Sequence, residues 1–137
     1  MSARSFFDSN VLIYTDDRAA PAKQRRALEL VAEHRREGTG VVSLQVLQEY
    51  FVTVTRKLHV EAQVARRKVA LLAEFDVAAP GLPDILAAID LHRLHKFSFW
   101  DALILRAALQ TGCTVLFSED LQQAREVDGV RIVNPFR

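Results

Sequence analysis

Four acidic residues in this sequence are candidates for chemistry: Asp8, Glu49, Asp101 and Asp120. They lie 41, 52 and 19 residues apart along the chain, so only the fold is able to bring them together. Clustered carboxylates repel one another, and protonation or a hard divalent cation relieves the repulsion. All-oxygen ligands favour Mg²⁺ or Mn²⁺ over zinc. Such ions activate water and stabilise the oxygens of an in-line attack on phosphorus, so the predicted chemistry is phosphodiester hydrolysis.

Each of these acids also has a structural explanation that needs no ligand. Asp8 is a good helix N-cap residue, and Asp101 follows Ser98 at the spacing of a capping box. Glu49 lies at the boundary between the apolar stripe and the solvated face of its helix, and Asp120 ends a loop of turn-forming residues. Asp101 stands in an almost fully apolar segment, so we expect a buried carboxylate there, which is costly without a partner. Convergence of all four acids on one edge of a sheet favours the chemical interpretation.

The elements that would position these acids alternate between strand and helix. Strands are predicted at 5–7, 39–42, 76–79, 114–117 and 130–133, and helices at 11–14, 21–37, 43–57, 61–74, 83–94 and 98–111. This alternation predicts an α/β protein with a mostly parallel, roughly five-stranded sheet that helices cover on both faces. Sites in such sheets form at the carboxyl ends of strands. Asp8 and Asp120 directly follow the first and fourth predicted strands, which places both at that edge.

Composition limits the class of protein. A chain of 137 residues predicts a single domain over residues 1–137, and 50% hydrophobic with 26% charged residues excludes a disordered chain. A net charge of +1 gives no bulk indication of nucleic-acid or membrane binding. The one cysteine, Cys113, is expected to be a small buried side chain. Without a disulfide pair, a signal-peptide core or a membrane-length apolar run, the sequence predicts a cytoplasmic protein.

Five segments form an ordered set of motifs: FFDSNVLIY at 6–14, LQEYF at 47–51, SFWDALI at 98–104, LFSEDL at 116–121 and RIVNPF at 131–136. Each motif alone is weakly specific. The ordered set, in register along essentially the whole chain, resembles PIN-domain proteins of the VapC-like toxin type. The resemblance implies a three-layer α/β/α sandwich and an endoribonuclease that hydrolyses RNA phosphodiester bonds with Mg²⁺ or Mn²⁺.

The resemblance also implies a site of four acids, which are catalytic and metal-binding, and two polar neighbours. These residues are Asp8, Glu49, Asp101 and Asp120, with Asn10 and Ser118 beside them. Asp120 is preferred over the adjacent Glu119 because the family pattern places its acid two residues after a Ser or Thr. The implied partners are an RNA substrate, a cognate antitoxin and a second copy of the chain in a homodimer, with no membrane.

Other functions stay open at this point. A non-catalytic PIN-like module would bind RNA or a protein partner with the same fold, and a DNA-directed PIN nuclease would carry the same acids. A phosphatase with a DxD nucleophile is disfavoured because Asn10 stands where its second acid would be. A receiver domain is disfavoured because no lysine follows Lys96. Observation of Mg²⁺-dependent cleavage separates the enzyme from the binding module.

Basic residues form five groups on predicted helix surfaces: Arg25-Arg26, Arg35-Arg36, Arg56-Lys57, Arg66-Arg67-Lys68, and Arg93 with His95 and Lys96. Each group is a candidate RNA contact, although a solvated face is the default explanation of any one of them. His92 and His95 have i, i+3 spacing, but zinc is disfavoured without a Cys or third His nearby. His34 and His59 are expected at the surface.

Overall fold

Strands and helices alternate along the chain, as the sequence predicts. The computed structural model describes residues 3–121 and 125–137. Its strands are β1 (Ser5–Phe7), β2 (Gly40–Ser43), β3 (Asp76–Ala78), β4 (Val115–Phe117), β5 (Glu126–Val127) and β6 (Val130–Val133). Its helices are α1 (Ser9–Tyr14), α2 (Pro21–Glu37), α3 (Leu44–Arg56), α4 (Ala62–Leu72), α5 (Leu82–His95) and α6 (Phe99–Gln110).

The sheet has the strand order β3-β2-β1-β4-β6-β5. Neighbouring strands are parallel throughout, with Phe6 of β1 in register with Val41 of β2 and Leu116 of β4, except that β5 is antiparallel to β6. Right-handed crossovers place α1 to α4 on one face and α5 and α6 on the other, and α1 packs on α2 and α3 while α5 packs on α6. The predicted α/β/α sandwich is therefore confirmed. The strand order reverses between β1 and β4, which is where open sheets of this kind bind ligands.

The sheet has a sixth strand, where the sequence predicts roughly five. The extra strand, β5, pairs with β6 through a two-residue hairpin at Asp128 and Gly129. Both turn residues have positive φ angles, 48° and 90°, as the tight turns of such hairpins require. The Asp-Gly pair is a strong signal for such a hairpin, so this strand was recoverable from the sequence.

The core lies on both faces of the central strands. Phe6 and Phe7 of β1 are fully buried, as expected where helices cover a parallel sheet on both sides. Cys113 is also buried, which confirms its expected role as a small core side chain. No helix among the described residues is both long and apolar enough to cross a membrane.

Helix α2 buries only part of the face that its apolar residues indicate. Helical spacing predicts burial of Ala27, Leu28, Val31 and Ala32, and of these Ala27 is buried and Val31 packs against the core. Leu28 is 47% exposed, and Leu30 and His34 are buried instead. The expectation that His34 lies at the surface is wrong. Its Nδ1 lies 2.7 Å from the hydroxyl of Thr39, its ring packs against aromatic side chains of the sheet, and burial lowers its pKa.

Candidate functional site

Asp8 is the most buried acid of the candidate site and stands directly after β1. Its amide donates to the carbonyl of Phe117 at 3.0 Å, which extends the pairing of β1 with β4 by one residue. Its Oδ1 accepts a hydrogen bond from the Ser9 amide at 2.7 Å, and its Oδ2 accepts one from the Ser118 hydroxyl at 2.8 Å. Asp8 is therefore the N-cap of α1 and a site residue at the same time.

The surroundings of Asp8 disfavour its ionised form. Burial raises the pKa of Asp8 to about 6, against the lowering effect of the hydrogen bonds from Ser118 and Ser9. The nearby charges of Glu49 and Asp101 raise this pKa further. Among the described residues no Lys, Arg or His forms an ion pair with Asp8. The Asp8 carboxylate is thus shielded from water and lies near two other acids, without a protein cation from the described part of the chain to balance its charge.

Asn10 links the two loops that form the site. Its Nδ2 lies 3.3 Å from the Ser118 hydroxyl, 3.2 Å from Oδ2 of Asp120 and 3.5 Å from Oδ2 of Asp8. Its Oδ1 accepts a hydrogen bond from the Glu119 amide at 3.1 Å. Through this one side chain the first turn of α1 holds the loop after β4 against the end of β1.

Glu49 approaches the site from α3, which begins at the Ser43 cap. The Ser9 hydroxyl donates to Oε1 of Glu49 at 3.1 Å, and Nε2 of Gln45 lies 3.4 Å from its Oε2. Glu49 is half-buried, as its place at the edge of the apolar stripe predicts. The sequence interpretation missed Ser9 and Gln45 as contacts of the site, although Gln45 precedes Glu49 by one helical turn, a spacing at which side chains meet.

Asp101 stands in the first turn of α6. The Ser98 hydroxyl accepts a hydrogen bond from the Asp101 amide at 3.1 Å and caps the helix. The expectation that Asp101 is buried is wrong: it is partly exposed, and the adjacent Trp100 is 63% exposed. This turn of α6 borders a pocket of about 510 Å³, and both Asp101 and Asp120 line it.

Glu119 and Asp120 have different partners although they are adjacent in sequence. Tyr14 donates a hydrogen bond to Oε1 of Glu119 at 2.6 Å, and Nζ of Lys23 lies 2.6 Å from its Oε2. Burial alone would raise the pKa of Glu119, but the bonds from Lys23 and Tyr14 outweigh it and the pKa lies below its ordinary value. The exposed Asp120 is bonded to Asn10 instead. Asp120 is therefore linked through Asn10 to the turn that follows Asp8, whereas Glu119 forms a separate ion pair with Lys23.

The donor chemistry of the site fits a hard divalent cation, because its four acids offer only oxygen ligands. The buried, cation-free Asp8 is the position that such an ion would stabilise most. In the part of the chain that the structure describes, no three Asp, Glu, His or Cys side chains are grouped closely enough to hold one ion. Glu49, Asp101 and Asp120 are all at least partly exposed, and side chains of this kind change rotamer on fast timescales.

The chain belongs to the PIN domain family, which it matches over residues 5–129. This agrees with the α/β/α sandwich, in which Asp8 and Asp120 follow β1 and β4, the two strands between which the strand order reverses. No curated protein matches the sequence at a significant level.

Two solved structures share the fold over most of their length. One is VapC20 of Mycobacterium tuberculosis, a sarcin-ricin loop cleaving toxin, with a TM-score of 0.69 and 21% sequence identity over 85% of this chain and 91% of that chain. The other is a toxin-antitoxin complex from Klebsiella pneumoniae, with a TM-score of 0.69 and 21% identity over 96% of this chain and 97% of that chain. At this identity the likeness establishes the fold.

Proposed function

We propose that this protein is a Mg²⁺- or Mn²⁺-dependent endoribonuclease and the VapC-like toxin of a toxin–antitoxin pair, built as one PIN-like domain over residues 1–137. The observation that carries the proposal is the burial of Asp8 among other acids, without a protein cation beside it in the described ranges. It is buried at the point where the strand order reverses, and its pKa is raised to about 6 by burial and by neighbouring acids. Membership of the PIN domain family supports the same activity.

In this proposal the acids have distinct roles. Asp8 and Asp101 are direct metal ligands, Glu49 is a ligand or a base acting through water, and Asp120 is a ligand, directly or through water, for a second or weaker ion. When bound, the ion would activate water and stabilise the negative oxygens of the attacked phosphate. Among the described residues these acids are not grouped around one point, so the partly exposed carboxylates would have to turn towards Asp8 to share an ion with it.

The polar neighbours keep Asp8 in one orientation. The Ser9 amide and the Ser118 hydroxyl each bind one of its two oxygens, so the carboxylate has little freedom to rotate. Asn10 holds Asp120 near it from the same helix turn. Partners of this kind commonly change metal affinity or activity by about 10- to 100-fold when they are removed.

The test is cleavage of structured RNA by purified protein in Mg²⁺ and in EDTA, with Asp101→Asn and a matched control, Asp90→Asn. Asp90 lies exposed on α5, so its substitution removes the same charge away from the site. We expect cleavage by the wild type and by Asp90→Asn in Mg²⁺, and none by Asp101→Asn or in EDTA. Full activity of Asp101→Asn, or cleavage that EDTA leaves unchanged, would contradict the proposal.

The same experiment separates the other candidate functions. DNA of the same sequence is included as a second substrate, and preferential cleavage of DNA would favour a DNA-directed PIN nuclease. RNA binding without cleavage in Mg²⁺ or Mn²⁺ would favour a non-catalytic module.

We also propose the cytoplasm as the compartment and two protein partners, a cognate antitoxin and a second copy of the chain. The homodimer is supported by the exposed apolar side chains of α5, which are Leu82, Ile85, Leu86 and Ile89. Sedimentation of the purified protein tests it, and a Leu86→Glu variant is expected to be monomeric. Co-expression with the neighbouring small gene tests the antitoxin, which is expected to relieve the growth arrest that the protein causes alone.

A further inference from the structure

A pocket of about 510 Å³ beside the acidic site is lined by charged residues of both signs. Asp101 and Asp120 belong to the candidate site described above. Lys96 and Arg125 are the cations that line the same pocket. A pocket that carries both signs of charge suits a polyanion that the cations hold directly.

Arg125 is held in place at this pocket by the linker between α5 and α6. Its guanidinium lies 3.2 Å from the carbonyl oxygen of His95 and 3.0 Å from Nδ1 of the same residue. It also stacks over the ring of Phe97, with 4.6 Å between Cζ and the ring centroid. A guanidinium fixed in this way loses little side-chain freedom when it binds a phosphate, which is an advantage for recognition.

Lys96 occupies a backbone position that suits another residue type better. It is the C-cap of α5 and has a φ of 61° in the left-handed region, where glycine is preferred at helix ends. Its side chain is exposed on the wall of the pocket. In the described ranges no carboxylate forms an ion pair with it. The positive charge suits the C-terminal end of the helix dipole, and it also leaves an unpaired cation in the pocket that a ligand of negative charge could bind.

Other basic residues of the sequence groups lie in other pockets or in ion pairs. Arg66 lines an apolar groove between α3 and α4, and Lys57 lines a separate pocket beside the loop after α1. Lys68 is paired with Asp16 at 3.4 Å. Of the basic groups recognised in the sequence, the one at the end of α5 is the one that faces the site.

We propose that Lys96 and Arg125 bind a backbone phosphate of the RNA strand next to the phosphate that is cut. This rests on the proposed endoribonuclease function and specifies the substrate contacts of that same site. Lys96 and Arg125 hold the strand, and the neighbouring phosphate would lie at the acids of the same pocket once a divalent ion is bound there. Because the contact is to the backbone, it contributes affinity without base specificity.

The test is binding of a short fluorescein-labelled single-stranded RNA of mixed sequence to the full chain, followed by fluorescence anisotropy in EDTA. The variants are Lys96→Gly and Arg125→Met, and the control is Arg36→Met, which removes an exposed charge on α2. Lys96→Gly removes the cation while relieving the left-handed backbone, so its melting temperature is expected to stay equal or rise. If Lys96→Gly binds RNA more weakly at an unchanged or higher melting temperature, unfolding does not explain the loss of binding.

We expect each of the two variants to raise the Kd of the RNA by about 3- to 10-fold at moderate salt, which is the loss of one phosphate contact. Between about 50 and 200 mM KCl, the slope of log Kd against log salt concentration is expected to fall by about 0.7 for each contact removed from a single strand. Arg36→Met is expected to keep the Kd and the slope of the wild type.

Wild-type Kd and slope in both Lys96→Gly and Arg125→Met would overturn the inference. If the wild type still cleaves RNA in Mg²⁺ in a parallel assay, that result leaves the proposed function standing and removes only the phosphate contact. If the wild type does not cleave RNA but Lys96→Gly weakens binding, the proposed function fails and the phosphate contact is supported.

Discussion

Asp8 and Glu119 are carboxylates at the same edge of the sheet, and their surroundings are electrostatically opposite. Asp8 accepts hydrogen bonds from neutral donors and has two acids nearby, and burial raises its pKa to about 6. Glu119 is bound by Lys23, whose ammonium also lies 5.0 Å from the centroid of the Tyr14 ring, and its pKa is lowered. Glu119 is neutralised by a cation of the protein itself, whereas Asp8 has no such partner among the described residues, and a bound divalent ion would favour its ionised form.

The comparison breaks if the two carboxylates are interchangeable in catalysis. Asp8→Asn is expected to reduce RNA cleavage in Mg²⁺ by about 10³-fold, since an ion contributes several kcal/mol to the transition state and each 1.36 kcal/mol is about tenfold. Glu119→Gln is expected to stay within about tenfold of the wild type, because it acts only through the loop that carries Asp120. Electrophoresis of end-labelled RNA measures both rates at matched folded fraction. Equal losses in the two variants would contradict the comparison.

Asp8 and Glu119 are also expected to make contributions of opposite sign to the pH dependence of the free energy of unfolding. In the folded protein Asp8 keeps its proton up to about pH 6, whereas in the unfolded chain it ionises near its ordinary value of 3.8. Its contribution to the free energy of unfolding therefore falls as pH rises through this interval, by about 3 kcal/mol in total without metal. In EDTA, the stability of Asp8→Asn relative to the wild type is expected to increase by most of that amount between about pH 4 and 7.

Glu119 supplies the control for this measurement. Its pKa is lowered on folding, so its contribution to stability is present above its unfolded pKa and is lost as pH falls through its folded pKa. Urea unfolding across the pH range measures both variants. The same sign of pH dependence for Asp8→Asn and Glu119→Gln would contradict the assigned states of the two acids.

Ser118 is the contact through which the β4 loop acts on Asp8. It is fully buried, donates to Asp8 and accepts from the Leu121 amide at 3.3 Å. Ser118→Ala is expected to lower the free energy of unfolding by about 1 to 3 kcal/mol, since it leaves a buried amide without this partner. Because the hydroxyl lowers the pKa of Asp8, the substitution is expected to raise that pKa further.

Carboxyl carbon NMR titration in EDTA measures the pKa of Asp8 in this variant. Thr39→Ala is the control, since it removes a hydroxyl that lies 2.7 Å from Nδ1 of the buried His34 and contacts neither Asp8 nor the acids near it. An unchanged pKa of Asp8 in Ser118→Ala would contradict the role of the hydroxyl.

The smallest effect is expected from a change at Tyr14, which contacts Glu119. Tyr14→Phe removes one hydrogen bond to Glu119 and is expected to lower the free energy of unfolding by about 1 kcal/mol. RNA cleavage is expected to stay close to the wild-type rate, because Tyr14 contacts Glu119 and not Asp8. A double-mutant cycle with Glu119→Gln isolates the interaction, and fully additive changes in stability would show that the two side chains are not coupled.

The fold was predictable from the sequence because its information is local. Apolar strands such as Val115–Phe117 alternate with helices whose caps, Ser43 and Ser98, stand where the sequence places them. The Asp-Gly pair at 128 and 129 is an equally local signal for a hairpin, although β5 was not among the predicted strands. His34 was misplaced for a different reason: its burial depends on packing against distant sheet residues, which a helical pattern does not contain.

The places of Asp8 and Asp120 in the fold were predictable from the sequence, but the contacts among the candidate residues were not. The spacing of strands and acids places Asp8 and Asp120 at one edge of the sheet. The bond from Ser9 to Glu49 and the link from Asn10 to Asp120 join residues that are 40 and 110 positions apart, so they depend on side-chain rotamers in the folded protein. The physical distinction between Glu119 and Asp120 likewise depends on Lys23, which belongs to α2.

The central claim is that Asp8 belongs to a divalent-cation site and Glu119 does not. Titration of the full chain with Mg²⁺ by isothermal calorimetry, for the wild type, Asp8→Asn and Glu119→Gln, tests it most directly. We expect a binding isotherm for the wild type, the same isotherm within a few-fold in affinity for Glu119→Gln, and none for Asp8→Asn. Equal Mg²⁺ binding by Asp8→Asn and the wild type would contradict the claim.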